Sequence, residues 1–298
     1  MRLCELRNPD GKEGGSRLGM VEGDTVFAVR GHRSMMEFLT SGEGIESLKK
    51  DGEGRALKAA SMSAPISRPG KIVAAIVNTQ AMLGGEDVTL DRPRLDMKAP
   101  SAVIGPGDRI RAPESGIRPE VELAAIVGRR ISGASPGEAK SCLMGYTIIN
   151  DVTAPKDSKD DAYEAYRRDK QSGEIKRTLM RGPLFRSKNH DTFCPMGPWI
   201  VTADEVGDLS DLKMETRFDG KLVQTGSTAE YIFKPEEIAS YVSGFLSLEP
   251  GDVISCGSVG WAPEALGKLD PTEFVLTKKT GMLTLRIDKI GTLSNPIG

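Results

Sequence analysis

The stretch whose reading decides the fold is Pro119-Glu-Val-Glu-Leu-Ala-Ala-Ile-Val-Gly128, which is closed later in the chain by Asn150-Asp151. Its β-branched and aliphatic residues predict a buried strand. Side chains alternate along a strand, so Glu120 and Glu122 share one face while Val121 and Leu123 take the other. Two carboxylates on one dry face repel each other if both ionise. A divalent cation would remove that conflict. Tyr146-Thr-Ile-Ile-Asn150 predicts a second strand beside the first, and Asp151 at its end would add a third carboxylate. A Glu-x-Glu pair alone is most often a solvated face, because acidic side chains are mostly exposed. The metal reading therefore needs support from the rest of the chain.

At 298 residues there is room for one large domain or two unequal ones. Basic and acidic side chains nearly balance, 40 against 42, so nothing global favours nucleic acid or an anionic membrane. No apolar run reaches the length of a membrane span, and the first residues lack a signal peptide's apolar core. Cys4, Cys142, Cys194 and Cys256 are scattered with no Cys-x-x-Cys pair, which predicts reduced thiols in a cytoplasmic protein. With only His32 and His190 to join them, a zinc site is disfavoured. The 34 glycines and 18 prolines predict many turns and short strands, hence a β-rich α+β architecture.

Along the chain, residues 1–68 predict a small N-terminal α/β domain and residues 69–298 the main one. A hairpin is expected around Glu22-Gly23-Asp24, with short helices over 34–39 and 44–50. Residues 61–70, polar with two prolines, suit a linker. Lys71-Ile-Val-Ala-Ala-Ile-Val77 predicts a buried strand. The long irregular segment 78–100 that follows favours a mobile active-site segment, with Gly84-Gly85 as a hinge or a turn. Ser135-Pro-Gly-Glu138 is a helix start with a capping box. Residues 160–170 predict an exposed helix within a charged run, read as a solvated face or lid. Asp219-Gly220 marks a hairpin, and residues 235–246 have helical apolar spacing.

Taken in order, these pieces resemble the fumarylacetoacetate hydrolase family over about residues 71–298. Glu120-Val-Glu122-Leu resembles its two-glutamate strand and Gly145-Tyr-Thr-Ile-Ile-Asn-Asp151 its metal aspartate strand. Lys188-Asn-His-Asp-Thr-Phe-Cys-Pro-Met-Gly-Pro198 is similar to its Lys-Ser-Phe-Asp-Thr-Phe-x-Pro-x-Gly-Pro segment. Leu248-Glu-Pro-Gly-Asp-Val-Ile254 and Ile290-Gly-Thr-Leu-Ser-Asn295 resemble later landmarks. The resemblance implies a mixed β-sheet roll, a homodimer, and Mg²⁺ or Mn²⁺ held by Glu120, Glu122 and Asp151. An all-carboxylate donor set is hard and suits those ions. Lys188 is implied as the active-site lysine, with Lys98, Gln224 and Ser258 as substrate contacts. The expected activity is metal-dependent C–C cleavage or decarboxylation of a small 2-oxo or 1,3-dicarbonyl acid through an enolate, by a hydrolase or lyase.

One departure reshapes that expectation. Hydrolytic members carry Asn-Tyr-x-x-His-x-x-Glu after the first strand, whereas this chain reads Asn78-Thr-Gln-Ala-Met82-Leu-Gly-Gly85. A thioether at Met82 cannot exchange protons. Glu86 lies one residue beyond the expected acid and is a candidate substitute. His190, two residues from Lys188, is the other candidate base, although packing in an aromatic slot is the commoner role. Members that dehydrate 2-keto-3-deoxy sugar acids also tend to lack that histidine, so dehydratase, hydratase or isomerase chemistry is the alternative. A non-catalytic dimer that kept the site for metal or ligand binding is the reading from another class.

Overall fold

The apolar run after Glu120 forms the strand Val121–Val127, and all seven of its residues are buried. In the computed structural model of the protein, described over residues 1–7, 16–57, 62–83, 88–182, 184–270 and 273–298, this strand lies within a twelve-stranded mixed sheet. Its contributors from the first part of the chain are β1 (Arg2–Arg7), β2 (Ser16–Glu22), β3 (Thr25–Val29), β4 (Lys50–Ala56) and β5 (Met62–Ser63). Next come β6 (Ile72–Ala75), β7 (Leu95–Lys98), β8 (Val103–Ile104), β9 (Val121–Val127) and β10 (Leu143–Asn150). A separate two-stranded ribbon follows, β11 (Ala162–Arg168) with β12 (Ile175–Arg181). The large sheet regains the chain at β13 (Cys194–Thr202). A four-stranded sheet is built from β14 (Lys213–Phe218), β15 (Lys221–Ser227), β17 (Gly281–Ile287) and β18 (Gly291–Ile297), while β16 (Val253–Ser258) returns to the large one.

The large sheet runs β4-β3-β2-β1-β13-β10-β9-β16-β6-β7, with β5 on β1 and β8 on β13. Most neighbours are antiparallel; β16 pairs β6 in parallel, which makes the sheet mixed. The β-rich α+β roll expected from the sequence is the fold observed. Strands of residues 1–68 join this sheet through β1, whose Leu3 lies opposite Ile200 of β13.

Alternation along β9 divides its side chains between two cores. Val121, Leu123, Ala125 and Val127 pack with Ile238 and Val242 of the helix Pro235–Ser243 and with Leu283 and Leu285 of the smaller sheet. Ala124 and Ile126 pack with Leu3, Leu18, Met35 and Phe38. Each fully buried Leu or Ile here contributes roughly 1.5–3 kcal/mol relative to an exposed one.

Local signals held where short-range chemistry decides. Asp219 and Gly220 take φ of 48° and 79°, as the tight hairpin turn between β14 and β15 requires. Ser135 caps the helix Pro136–Cys142 with Glu138 completing the box. Three expectations need correction. Residues 162–168 form a strand, not a helix, because Tyr163, Tyr166, Ile175 and Thr178 favour extended backbone and Glu164 pairs Arg177 across the ribbon. Asp169 Oδ1 accepts from the Gln171 and Ser172 amides, which closes the turn. Residues 44–50 hold only the 3₁₀ turn Ile45–Ser47 before β4 begins. Residues 62–66 are not a loose linker, since Met62, Ala64 and Ile66 are buried. Gly84-Gly85 and Glu86 lie outside the described residues.

Candidate metal and substrate site

β9 and β10 pair antiparallel with Ile149 opposite Glu122 and Asn150 opposite Val121. Asp151, one step further, therefore comes level with Glu120, and its amide donates to Glu120 O at 2.9 Å. Asn150 Oδ1 accepts from the Glu120 amide at 2.9 Å and fixes the crossing. Glu120, Glu122 and Asp151 each present one oxygen, all within 4.8 Å of one another, and all three residues are buried. Glu122 Oε2 also accepts from Ser255 Oγ at 2.7 Å and from the Gly257 amide at 3.0 Å. Gly257 has φ of 94°, and a Cβ there would come within 2.7 Å of Asn78 Cβ, so glycine is required.

Two ammonium groups balance this acid. Lys188 Nζ donates to Glu120 Oε2 at 2.5 Å and Asp151 Oδ2 at 2.6 Å. Lys98 Nζ lies 2.7 Å from Asp151 Oδ1 and donates to the carbonyls of Lys188 at 2.6 Å and Val152 at 3.2 Å. Burial alone would push the Lys188 ammonium down. The charges of Asp151, Glu120 and Glu122 outweigh burial and hold it above its ordinary value. Burial likewise works against the Asp151 carboxylate, yet Lys188 and Lys98 hold it below its usual range. Glu122, which neither lysine contacts, is pushed up to about 8 by burial first and the Asp151 charge second. Once Glu122 gives up its proton, three carboxylates against two ammonium groups leave one negative charge. This hard, all-oxygen and still negative donor set fits a divalent cation of the Mg²⁺ or Mn²⁺ type.

The cluster opens into a cavity of about 250 Å³ whose wall includes Lys188, Lys98, Ser258, Thr153, Arg118, Asp96, Met82 and Val77. Val77 has φ of 55°, a costly backbone for a β-branched residue. The neighbouring Asn78 pins it: Nδ2 donates to the carbonyls of Phe233 and Cys256 at 2.8 Å each, and Oδ1 accepts from the Phe233 amide at 2.9 Å. Lys188 is presented by the short helix Phe185–Lys188. The Asp161 carboxylate holds that turn, accepting from the Arg186 amide at 2.6 Å and from Ser187 Oγ at 2.6 Å.

The residues singled out from sequence thus separate into groups. Glu120, Glu122, Asp151, Lys188, Lys98 and Ser258 share the cavity. Lys98 is 1% exposed, with all three donors engaged by protein. Gln224 does not reach the cavity wall. Its Oε1 accepts from the Val121 amide at 3.0 Å and Thr216 Oγ1 at 2.9 Å, and its Nε2 donates to Ser258 Oγ at 2.9 Å and Val259 O at 3.0 Å. It bolts Ser258 to β9. His190 is also off the cavity wall, with Nε2 2.9 Å from Asp157 Oδ2 and its ring 4.8 Å from that of Phe193. Met82, by contrast, is part of the wall. Sequence reasoning missed Arg118 and Asp96. Arg118 was legible as Glu120's same-face neighbour two residues earlier; Asp96 stands at the same spacing from Lys98.

Residues 71–298 match the profile of the fumarylacetoacetate hydrolase C-terminal domain. A 2,4-didehydro-3-deoxy-L-rhamnonate hydrolase of Sphingomonas sp. (strain SKA58) is 33% identical over 232 residues, 76% of this chain and 73% of that protein. Oxaloacetate tautomerase FAHD2B, mitochondrial, of Bos taurus is 30% identical over 311 residues, covering 100% of this chain and 91% of that one. Among solved structures, the fumarylacetoacetate hydrolase of psychrophilic Exiguobacterium antarcticum superposes with a TM-score of 0.77 at 26% identity, over 100% of this chain and 99% of that one.

Proposed function

The chain belongs to the fumarylacetoacetate hydrolase family, and from that premise we propose a divalent-metal-dependent enzyme that enolises a small 2-oxo acid, with isomerisation, tautomerisation or dehydration as the outcome. The observation that carries this reading is the pairing of Lys188 with Glu120 and Asp151 in a cavity whose wall holds Met82. Glu120, Glu122 and Asp151 would hold Mg²⁺ or Mn²⁺, which as a Lewis acid polarises a carbonyl. Lys188 keeps its charge at neutral pH and offers it to the oxyanion that develops at C2, a contribution on the order of 3 kcal/mol. Arg118 adds a permanent positive charge to the wall, suited to a substrate carboxylate. Met82, Val77 and Leu184 line it with apolar surface that limits water.

C–C hydrolysis or decarboxylation is the second reading, favoured by the similarity to the rhamnonate-series hydrolase. It needs a base for water that Met82 cannot supply. The proposal extends to a cytoplasmic homodimer, the oligomeric state to be measured by sedimentation velocity. The discriminating experiment incubates pyruvate, 2-oxobutyrate, oxaloacetate and 2-keto-3-deoxy sugar acids with protein and Mg²⁺ in heavy water, followed by NMR. Deuterium entry at C3, with tautomeric or dehydrated product, supports enolisation. Release of pyruvate or CO₂ above the protein-free rate selects the second reading. Silence on every compound overturns both and leaves a non-catalytic metal- or ligand-binding dimer.

A further inference from the structure

We propose that Asp96 is the proton-transfer residue of this cavity, a catalytic carboxylate that takes and returns the C3 proton of the 2-oxo acid. The inference rests on the enolisation reading and names the group that reading lacks.

The geometry begins with β7, which pairs β6 antiparallel so that Asp96 lies opposite Ala74 and Lys98 opposite Ile72. Residues two apart on a strand share a face. Lys98 reaches Asp151 from that face, and both Asp96 and Lys98 belong to the cavity wall. Asp96 Oδ1 accepts from the amide of Met97 at 2.8 Å. Its Oδ2 is buried and has no hydrogen-bond partner among the described residues. Burying a carboxylate oxygen without a donor is costly, and the sites that tolerate it are disproportionately functional.

Among the described residues, the other ionisable groups of the wall are committed elsewhere. Lys98 has its three donors on Asp151, Lys188 and Val152, and Lys188 bridges Glu120 and Asp151. Glu120, Glu122 and Asp151 form the cation cluster. Arg118 cannot give up its proton, and Met82 carries none. His190 faces Asp157 away from the cavity wall. Among the described residues, Asp96 is the wall carboxylate outside the cluster.

In the step itself, the Asp96 carboxylate, turned about its soft terminal torsion so that Oδ2 meets the cavity, takes the proton from C3. The C3–H electron pair becomes the C2–C3 π bond, and the carbonyl π pair moves onto the C2 oxygen beside the Lys188 ammonium. Asp96, now a carboxylic acid, returns the proton to C3 in the reverse direction. In an isomerisation it delivers the proton to the far end of the conjugated system. No oxidant or further reactant is needed.

The test compares wild type, Asp96→Asn, Asp96→Ala and Asp96→Glu in the C3 exchange of pyruvate, 2-oxobutyrate and oxaloacetate in heavy water with Mg²⁺. Mn²⁺ affinity by electron paramagnetic resonance and the melting temperature are measured beside it. Asp96→Asn is expected to lose exchange by about 100-fold or more while its Mn²⁺ affinity and melting temperature stay at wild-type values. Asp96→Glu should keep a measurable part of the rate, and added formate should restore exchange to Asp96→Ala. Exchange by Asp96→Asn within about threefold of wild type overturns the proposal. So does a joint loss of exchange and Mn²⁺ binding, which would make Asp96 a structural or ligand residue. If Asp96→Asn does not fold, formate rescue of Asp96→Ala decides: no rescue overturns it. A wild type that exchanges none of the three acids fails the enolisation reading first, and Asp96 falls with it.

Discussion

Lys98 Nζ and Asp151 Oδ1 meet 2.7 Å apart beneath the cavity, in a lysine that is only 1% exposed. A buried ion pair of this kind adds little by itself, but removing one partner strands the other charge. Lys98→Met should therefore destabilise the metal-free protein by about 3–5 kcal/mol. Urea unfolding with and without Mg²⁺ measures this. The cation should recover part of the loss, because it supplies the positive charge that Asp151 has lost.

Lys188 has a different balance. Its ammonium stands on the same two carboxylate groups a cation would use, so it competes with the cation while assisting the chemistry. Lys188→Met is expected to bind Mn²⁺ more tightly, by about tenfold or more, since a unit charge at close range is worth ~4 kcal/mol at an effective dielectric of 20. Turnover should fall by roughly 100- to 1,000-fold in the same variant. Free-Mn²⁺ titration and the exchange rate read the two effects separately.

Glu122 predicts the pH dependence of metal binding. Its carboxyl is pushed up to about 8, so the metal-free protein holds a proton there at neutral pH. A cation must displace that proton. Affinity should weaken about tenfold for each unit of pH below 8 and level off above it. The sign for folding follows from the same shift. An acid whose folded value is raised makes the metal-free fold lose stability as pH rises from the ordinary carboxylate range toward 8. Calorimetric Mn²⁺ titrations from pH 6 to about 9 test the first expectation, and a flat profile would contradict it.

Gln224 tests structure without chemistry. Gln224→Leu leaves the Val121 amide and the Val259 carbonyl without their partner in a fully buried place. Each unsatisfied buried group costs about 1–3 kcal/mol, so a loss of at least ~2 kcal/mol is expected by urea unfolding. Ser258, released from Nε2, should raise KM more than it lowers kcat.

How far the site could be seen in the sequence follows from the range of each signal. The shared face of Glu120 and Glu122 was legible because a strand has a two-residue period and Val121 to Val127 is apolar apart from Glu122 itself. Asp151 was legible because its strand is equally apolar and ends there. The Ser135 box and the Asp219-Gly220 turn are governed by a few contiguous residues. The roles of Lys98 and Gln224 depend on partners 53 and 103 residues away, Asp151 and Val121, and no local pattern encodes them. The ribbon was misread because its charges, alternating between paired strands, look like an exposed helical face until the Asp169 turn is recognised. Asp96 was passed over because an isolated acid in an irregular segment ordinarily faces water.

The seam between β1 and β13 governs what trimming this chain would do. Leu3 meets Ile200 there, and the apolar side chains of both strands enter one core. A fragment starting near residue 69 would leave the Ile200–Val201 part of β13 without its β1 partner, its amides and carbonyls bare along that flank. Such a flank recruits whatever extended backbone it meets. The truncated protein is expected to appear in inclusion bodies, its carboxylate cluster intact in sequence and inaccessible in practice.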